Sequence, residues 1–230
     1  MQKLFRGLFI GSDYISAALS WALFYYYRKT SIEHEDFAFS DTFYYGIFVI
    51  PILWVLFYTL QGTYQDVRRL YRLKILSYTA FATIFGSIVL FFVLLLDDEV
   101  NTYLNYYSSL LTLALLHFGF TFSSRLIITS ILVGRIHSRK DGFKTLLIGG
   151  SEKAVAIYQE IEGIEKGGGN QFVGFVNLNG IDKLLENNMP YLGHVDQLEK
   201  IIAENKIEEV IIALESTEHE RLKTIISRIK

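Results

Sequence analysis

The run TFYYGIFVIPILWVLFYTLQGTYQ, residues 42–65, contains no Asp, Glu, Lys or Arg from end to end. A helix needs about 20 mainly apolar residues to cross the ~30 Å hydrocarbon layer of a bilayer, so this stretch is long enough to span one. Two further charge-free runs follow it, residues 75–96 and 100–124, and a fourth, residues 7–27, precedes it, broken only by Asp13. Composition agrees. Of 230 residues 51% are hydrophobic and only 20% charged, with a mean hydropathy of +0.28, which is too apolar for an ordinary soluble domain. The first part of the chain therefore reads as an α-helical membrane bundle of four transmembrane helices.

Lys3 and Arg6 ahead of the first apolar run imitate the start of a secretory leader. Asp13 interrupts the would-be apolar centre, however, and the run closes on Tyr25, Tyr26 and Tyr27 rather than on small residues, so a retained helix is expected. Orientation follows from the basic residues, which collect in cytoplasmic loops. Lys3 and Arg6 precede span one, Arg68, Arg69, Arg72 and Lys74 join spans two and three, and Arg135, Arg139 and Lys140 follow span four. The alternate connections are acidic: residues 28–41 hold two basic and four acidic side chains, and residues 97–105 hold three acidic and no basic ones. Both termini are expected in the cytoplasm, with Tyr25 to Tyr27, Phe43 to Tyr45, Tyr103, Tyr106 and Tyr107 at the outer interface.

Few polar groups fall inside the spans. Asp13 lies about two turns into the first, His117 is at the middle of the fourth, and Arg125 is near its inner end. An intramembrane ionisable residue is a functional-site candidate that faces the bundle. The other reading is a structural contact between spans one and four, with Arg125 extending to the inner headgroups. Four short spans without repeated polar faces do not resemble a transport path.

From residue 141 the pattern changes. Residues 1–140 hold 12 Lys/Arg against 9 Asp/Glu and residues 141–230 hold 10 against 15, balances of +3 and −5. This divides a four-helix membrane domain with a short cytosolic stalk, 1–140, from a cytosolic domain, 141–230. Lys144 to Gly149 reads as a strand, Gly150 and Ser151 as a tight turn, and Ala154, Ile157, Tyr158 and Ile161 as one helical face. A strand over residues 171–177, a short extended piece over 191–193, a helix over about 196–205, a strand over 209–214 and a helix over 218–230 complete the alternation. Such an order implies a parallel, Rossmann-like sheet, here small and incomplete. In a G-x-G-x-x-G nucleotide fingerprint aligned on Gly149, the close-approach position holds Ser151 and the helix-packing position Ala154. The ribose-binding acid expected after the second strand is replaced by Asn177. The turn is thus either a packing turn or a weak nucleotide or regulatory-ligand site. A ligand would sit at Gly149, Gly150 and Ser151, facing Glu215 and Ser216 beyond the last strand.

No catalytic residue can be assigned. With no Cys, thiol nucleophiles and cysteine–zinc sites are excluded. His34, His117, His137, His194 and His219 fall in separate stretches without a nucleophile or metal-ligand spacing, so no metal site is expected. The acidic second part argues against nucleic acid as a partner.

The chain resembles a known family in Leu146-Leu-Ile-Gly-Gly-Ser-Glu152, Phe172-Val-Gly-Phe-Val176, Pro190-Tyr-Leu-Gly193 and Glu208-Glu-Val-Ile-Ile-Ala213. It is similar along its whole length to the N-terminal part of bacterial polyprenyl-phosphate sugar-1-phosphate transferases, in particular the undecaprenyl-phosphate glucose phosphotransferase branch of exopolysaccharide, capsule and O-antigen synthesis. The resemblance implies a multi-pass protein of the bacterial cytoplasmic (inner) membrane, an anchoring and accessory or regulatory part of an enzyme that moves a sugar 1-phosphate from a UDP-sugar to undecaprenyl phosphate. That family's catalytic motifs follow a further membrane-associated helix with no counterpart here, so a truncated chain or fragment, inactive alone, is expected. No cofactor is expected in these residues, magnesium belonging to the missing catalytic domain. The expected partners are the lipid bilayer, polyprenyl phosphate, other polysaccharide-assembly proteins and a second copy of the chain. Membrane-bound nucleotide-sugar dehydratases and epimerases share the architecture and remain an alternative, as does a stand-alone membrane sensor or scaffold.

Overall fold

The computed structural model describes residues 2–95, 103–138, 142–164, 168–179, 183–215 and 221–229. It divides into two compact units, Met1–Leu132 and Val133–Lys230. The first unit is built from α1 (Gln2–Tyr27), α2 (Asp41–Leu60), α3 (Arg72–Leu95) and α4 (Tyr103–His137), the last of which runs on into the second unit. All four are long and apolar enough to cross a membrane. Many of their large apolar side chains point outward, among them Phe48, Ile52, Phe81, Ile84, Leu111 and Leu115.

Two Trp–Gly contacts set how closely these helices approach. The Trp21 indole of α1 covers Gly46 of α2, where an added Cβ would lie 2.2 Å from the ring. The Trp54 indole of α2 covers Gly86 of α3, where the corresponding distance is 2.4 Å. Where lipid tails are as apolar as the side chains, helices associate through close packing and polar contacts, and small residues opposite large ones allow that approach.

The connections are ordered by polar and aromatic contacts. Ser40 caps α2, its Oγ accepting from the Phe43 N–H at 3.3 Å and meeting the Tyr25 hydroxyl at 2.6 Å. Around it Tyr25, Phe37, Phe39, Phe43 and Tyr44 form a ring cluster with centroid separations of 4.9 Å for Phe37–Phe39 and 5.3 Å for Tyr25–Phe43. Arg28 and Lys29 hold Glu33 and Glu35. Burial raises the Glu33 carboxyl, but the Lys29 hydrogen bond and the Arg28 charge outweigh it, and the net shift is downward. The connection from α2 to α3 folds back against the bundle, burying Tyr64, Val67 and Leu70.

In the second unit, β1 (Phe143–Ile148), β2 (Asn170–Asn177), β3 (Tyr191–His194) and β4 (Glu209–Ile212) form one parallel sheet in the order β3-β2-β1-β4. Alternation along β1 makes two cores. Leu147 faces α5 (Glu152–Gly163) and residues 183–189, with Ala154, Phe175, Leu185 and Met189. Leu146 and Ile148 face α6 (Leu198–Asn205) and α7 (Leu222–Ile229), with Val176, Leu198, Ile201 and Ile225. Sequence periodicity predicts three substantial strands and one short one, whereas two are long and two short. β4 stops at Ile212, although Ala213 still donates its N–H to the Ile148 carbonyl at 2.8 Å. Burial of Ala213 and Leu214 continues the apolar pattern past the end of the ladder, so apolar residues alone overstate the strand.

Gly86→Ala places a methyl against the rigid Trp54 ring and is expected to cost about 1–3 kcal/mol. Gly119→Ala is the control, since a Cβ there meets nothing within 4 Å and only improves helix propensity. Thermal melts in detergent should show a lowered midpoint for the first variant and an equal or raised one for the second.

Candidate functional site

Asp13 and Arg125 meet inside the first unit. Arg125 donates from Nε to Asp13 Oδ1 at 2.8 Å and from Nη2 to Oδ2 at 2.7 Å, a two-point match of guanidinium to carboxylate. Both side chains are buried, at 0% and 1% exposure, so the Arg125 head is enclosed by protein rather than extended outward. Arg125 Nη1 donates to Thr79 Oγ1 of α3 at 3.0 Å, and the Tyr64 hydroxyl donates to Asp13 Oδ2 at 2.6 Å. The face of the guanidinium lies 3.8 Å from the Tyr58 ring centroid of α2. All four helices and the connection between α2 and α3 thereby touch one ion pair.

His117 belongs to the same buried region through a different partner. Its Nε2 is 3.0 Å from the Tyr58 hydroxyl, and its ring stacks on Trp54 with centroids 3.6 Å apart. Polar residues recur at helical spacing around it: Asp13, Ser16 and Ser20 on α1, Thr79, Thr83 and Ser87 on α3, and His117, Thr121, Arg125 and Thr129 on α4 are all buried. The expectation of spans without repeated polar faces is corrected by these stripes. The four-residue steps on α3 and α4 were the available signal, masked by the apolar residues between them. Among the described residues, Ser87 Oγ, Thr129 Oγ1 and His117 Nδ1 are buried without a hydrogen-bond partner. Tyr58, Tyr64 and Thr79 carry no distinguishing mark in the sequence, each being a lone hydroxyl in or near an apolar run.

In the second unit, Gly149, Gly150 and Ser151 lie where β1 turns into α5. Gly149 has φ +136°, and an added Cβ would sit 2.4 Å from the Ala213 carbonyl oxygen and 3.3 Å from the Ala154 methyl. The glycine is required for the approach of chain to chain, whatever else the turn does. The Gly150 carbonyl accepts from the Leu184 N–H at 3.1 Å, and Ser151 is only 7% exposed, its Oγ without a hydrogen-bond partner among the described residues. Lys153 reaches across to the Leu214 carbonyl at 2.6 Å. Glu215 is exposed beyond β4, and Ser216 lies outside the described residues. Asn177, at the position of the expected acid, accepts a hydrogen bond from the Tyr191 hydroxyl at 3.0 Å and is buried.

A cavity of about 560 Å³ opens elsewhere, past the ends of β2 and β3, lined by Leu178, Asn179, His194, Val195, Asp196, Arg221 and Ile225. Arg221 and His194 both bond the Leu178 carbonyl, each at 2.8 Å, which fixes them at its wall. Ligands of open α/β sheets bind at this carboxyl end of the strands. Periodicity could not find the cavity, since its residues come from three stretches far apart in the chain, after β2, at the end of β3 and at the start of α7. Among the described residues no cluster of His, Asp or Glu could hold a metal ion.

Four long apolar helices followed by a parallel sheet in this strand order define a helical-bundle protein with a Rossmann-like unit. Residues 57–230, from within α2 through the whole α/β unit, match the family described as CoA-binding domain, and the chain belongs to that family. Such domains are found in polyprenyl-phosphate sugar transferases. Among curated proteins none matches the chain.

Losing one member of a buried ion pair leaves the other charge uncompensated, at a typical cost of about 3–5 kcal/mol. Asp13→Asn and Arg125→Gln are each expected to lower the detergent melting midpoint strongly, while the double variant loses less than the sum. Thermal melts of the four-member cycle read the coupling, and additive losses would show that the contact contributes nothing.

Proposed function

We propose that this chain is the membrane-anchoring and accessory portion of an initiating sugar-1-phosphate transferase, the class that moves a sugar 1-phosphate from a UDP-sugar to undecaprenyl phosphate for exopolysaccharide, capsule or O-antigen synthesis. The observation that carries the reading is the family match running without a break from α2 to the end of the chain, joined to four long apolar helices. On this reading the helices span the bacterial cytoplasmic membrane with both termini inside, because the basic residues fall in alternate connections. The buried ion pair holds the bundle together and does no chemistry, since each nitrogen of the enclosed guanidinium head already donates to Asp13 or Thr79.

The α/β unit is the accessory part. Its ligand class is the coenzyme A nucleotide of the family's description, placed in the cavity beyond β2 and β3, where Arg221 offers a cation for a phosphate. The glycine turn is the weaker position, because the Ala213 carbonyl fills the space at Gly149 and Ser151 is covered.

The purified chain, supplied with UDP-glucose, undecaprenyl phosphate and magnesium, is expected to release no UMP above a protein-free control. Release of UMP would place a catalytic site in these residues. Calorimetric titration with coenzyme A is expected to show binding that Arg221→Ala weakens about tenfold or more, the worth of one charge-assisted hydrogen bond. Equal affinity in the variant would move the ligand away from this cavity.

A further inference from the structure

His194 closes β3 and stands at the wall of the cavity beyond β2 and β3. Its Nε2 is 2.8 Å from the Leu178 carbonyl oxygen, which can only accept, so that nitrogen carries a proton. Its Nδ1 meets two groups of one residue, the Asp196 N–H at 3.3 Å and the Asp196 carboxylate, whose Oδ2 is 2.9 Å away. The neutral ring accepts from the N–H and so caps the short helical turn Val195–Gln197. The protonated ring donates to the carboxylate instead. An imidazole with a partner for Nδ1 in both states changes its charge without leaving a ring nitrogen unsatisfied.

Among the described residues, His194, Asp196 and Arg221 are the ionisable side chains of the cavity wall. Arg221 Nη1 donates to the same Leu178 carbonyl at 2.8 Å, so the imidazole and the guanidinium stand side by side on one oxygen. The neighbouring cations and acids are turned elsewhere: Lys183 onto Glu186 and the Tyr191 ring, and Lys200 onto Glu204, while Glu199 and Lys223 are exposed outside the wall. With the ring neutral, the charges of Arg221 and Asp196 cancel, and with the ring protonated the wall carries a net charge of +1. An anion on Arg221 is opposed by the Asp196 carboxylate in the first state. In the second that carboxylate is engaged by the ring.

We infer that this cavity takes the diphosphate of the coenzyme nucleotide, with Arg221 donating to it and His194 supplying a second positive charge when protonated, so that the ligand is held more tightly as the pH falls. The inference rests on the placement of the coenzyme given above. Two cations on one oxygen face two adjacent phosphoryl groups, each with one negative charge. Arg221 contributes directed hydrogen bonds, its remaining guanidinium donors having no partner among the described residues. His194 contributes charge alone, because both ring nitrogens are already engaged with Leu178 and Asp196. The sign follows from the ring: protonation adds a positive charge to the wall while the diphosphate keeps its negative ones. A phosphomonoester, by contrast, gains a proton at about pH 6 and loses charge over the same range.

Dephospho-coenzyme A carries the diphosphate without the terminal monoester, and calorimetric titration of the purified chain with it at about pH 5.5 and about pH 8, the span over which a histidine changes charge, tests the inference. Affinity should be about tenfold higher at the lower pH, the worth of one unit charge a few ångströms from an anion. His194→Gln, whose side-chain amide still donates to the Leu178 carbonyl, should bind as the unsubstituted chain does at the higher pH and gain nothing on acidification. Asp196→Asn should bind more tightly than the unsubstituted chain at the higher pH, because the opposing carboxylate is gone. Equal affinity of the unsubstituted chain at both pH values, a result that needs no variant to fold, overturns the role of His194 and leaves the coenzyme placement standing. A rise that persists in His194→Gln, or an Asp196→Asn variant that binds no more tightly, overturns it as well. No binding at either pH overturns the coenzyme placement and this inference with it.

Discussion

Everything in the helical unit is arranged around the contact between the Asp13 carboxylate and the Arg125 guanidinium. Either charge alone would be expensive in an apolar interior, and the pair is tolerable only because its geometry is two-pronged and its remaining valences are filled. That requirement sets the register of α1 against α4, with Ser16 meeting Ser124 one turn further along at 3.2 Å. It draws Thr79 of α3 toward the same point and pulls Tyr64 inward, which folds the connection between α2 and α3 against the bundle. Tyr58 completes the enclosure and relays the polar contact to His117. The two Trp–Gly contacts do the complementary work of bringing the backbones close enough for these short bonds to form.

The α/β unit obeys a different constraint. Its sheet runs β3-β2-β1-β4, so chain directions diverge on either side of β1 and the carboxyl ends of the strands present a crevice. In a nucleotide-binding turn the small residues leave room for phosphates. Here the room at Gly149 is taken by the Ala213 carbonyl, and the segment after β2 closes over Gly150. The open volume lies instead beyond β2 and β3, next to Arg221. A family resemblance at the level of the turn therefore does not transfer a ligand position without the geometry of the segments that pack on it.

Hydropathy and charge order, both local properties of the chain, were enough to determine four long apolar helices and the change to alternating strands and helices near residue 141, because a helix of membrane length and a buried strand each leave a continuous one-dimensional record, whereas the helix ends do not follow the charge-free runs: α2 stops at Leu60 within its run and α4 continues to His137 past its own. The exceptional cost of a charge in an apolar run likewise marked Asp13, His117 and Arg125 by their residue types alone. Which of them pair was decided only by the tertiary structure, since Asp13 could face any side chain at its depth, and the choice of Arg125 over His117 depends on helix rotation and on Tyr58 claiming the imidazole. The same holds for Tyr64, Thr79 and Arg221, ordinary residues made significant by partners 51, 46 and 43 positions away in the chain. Contacts over such separations leave no local pattern, because many sequences with the same periodicity would satisfy them equally well until the packing selects one.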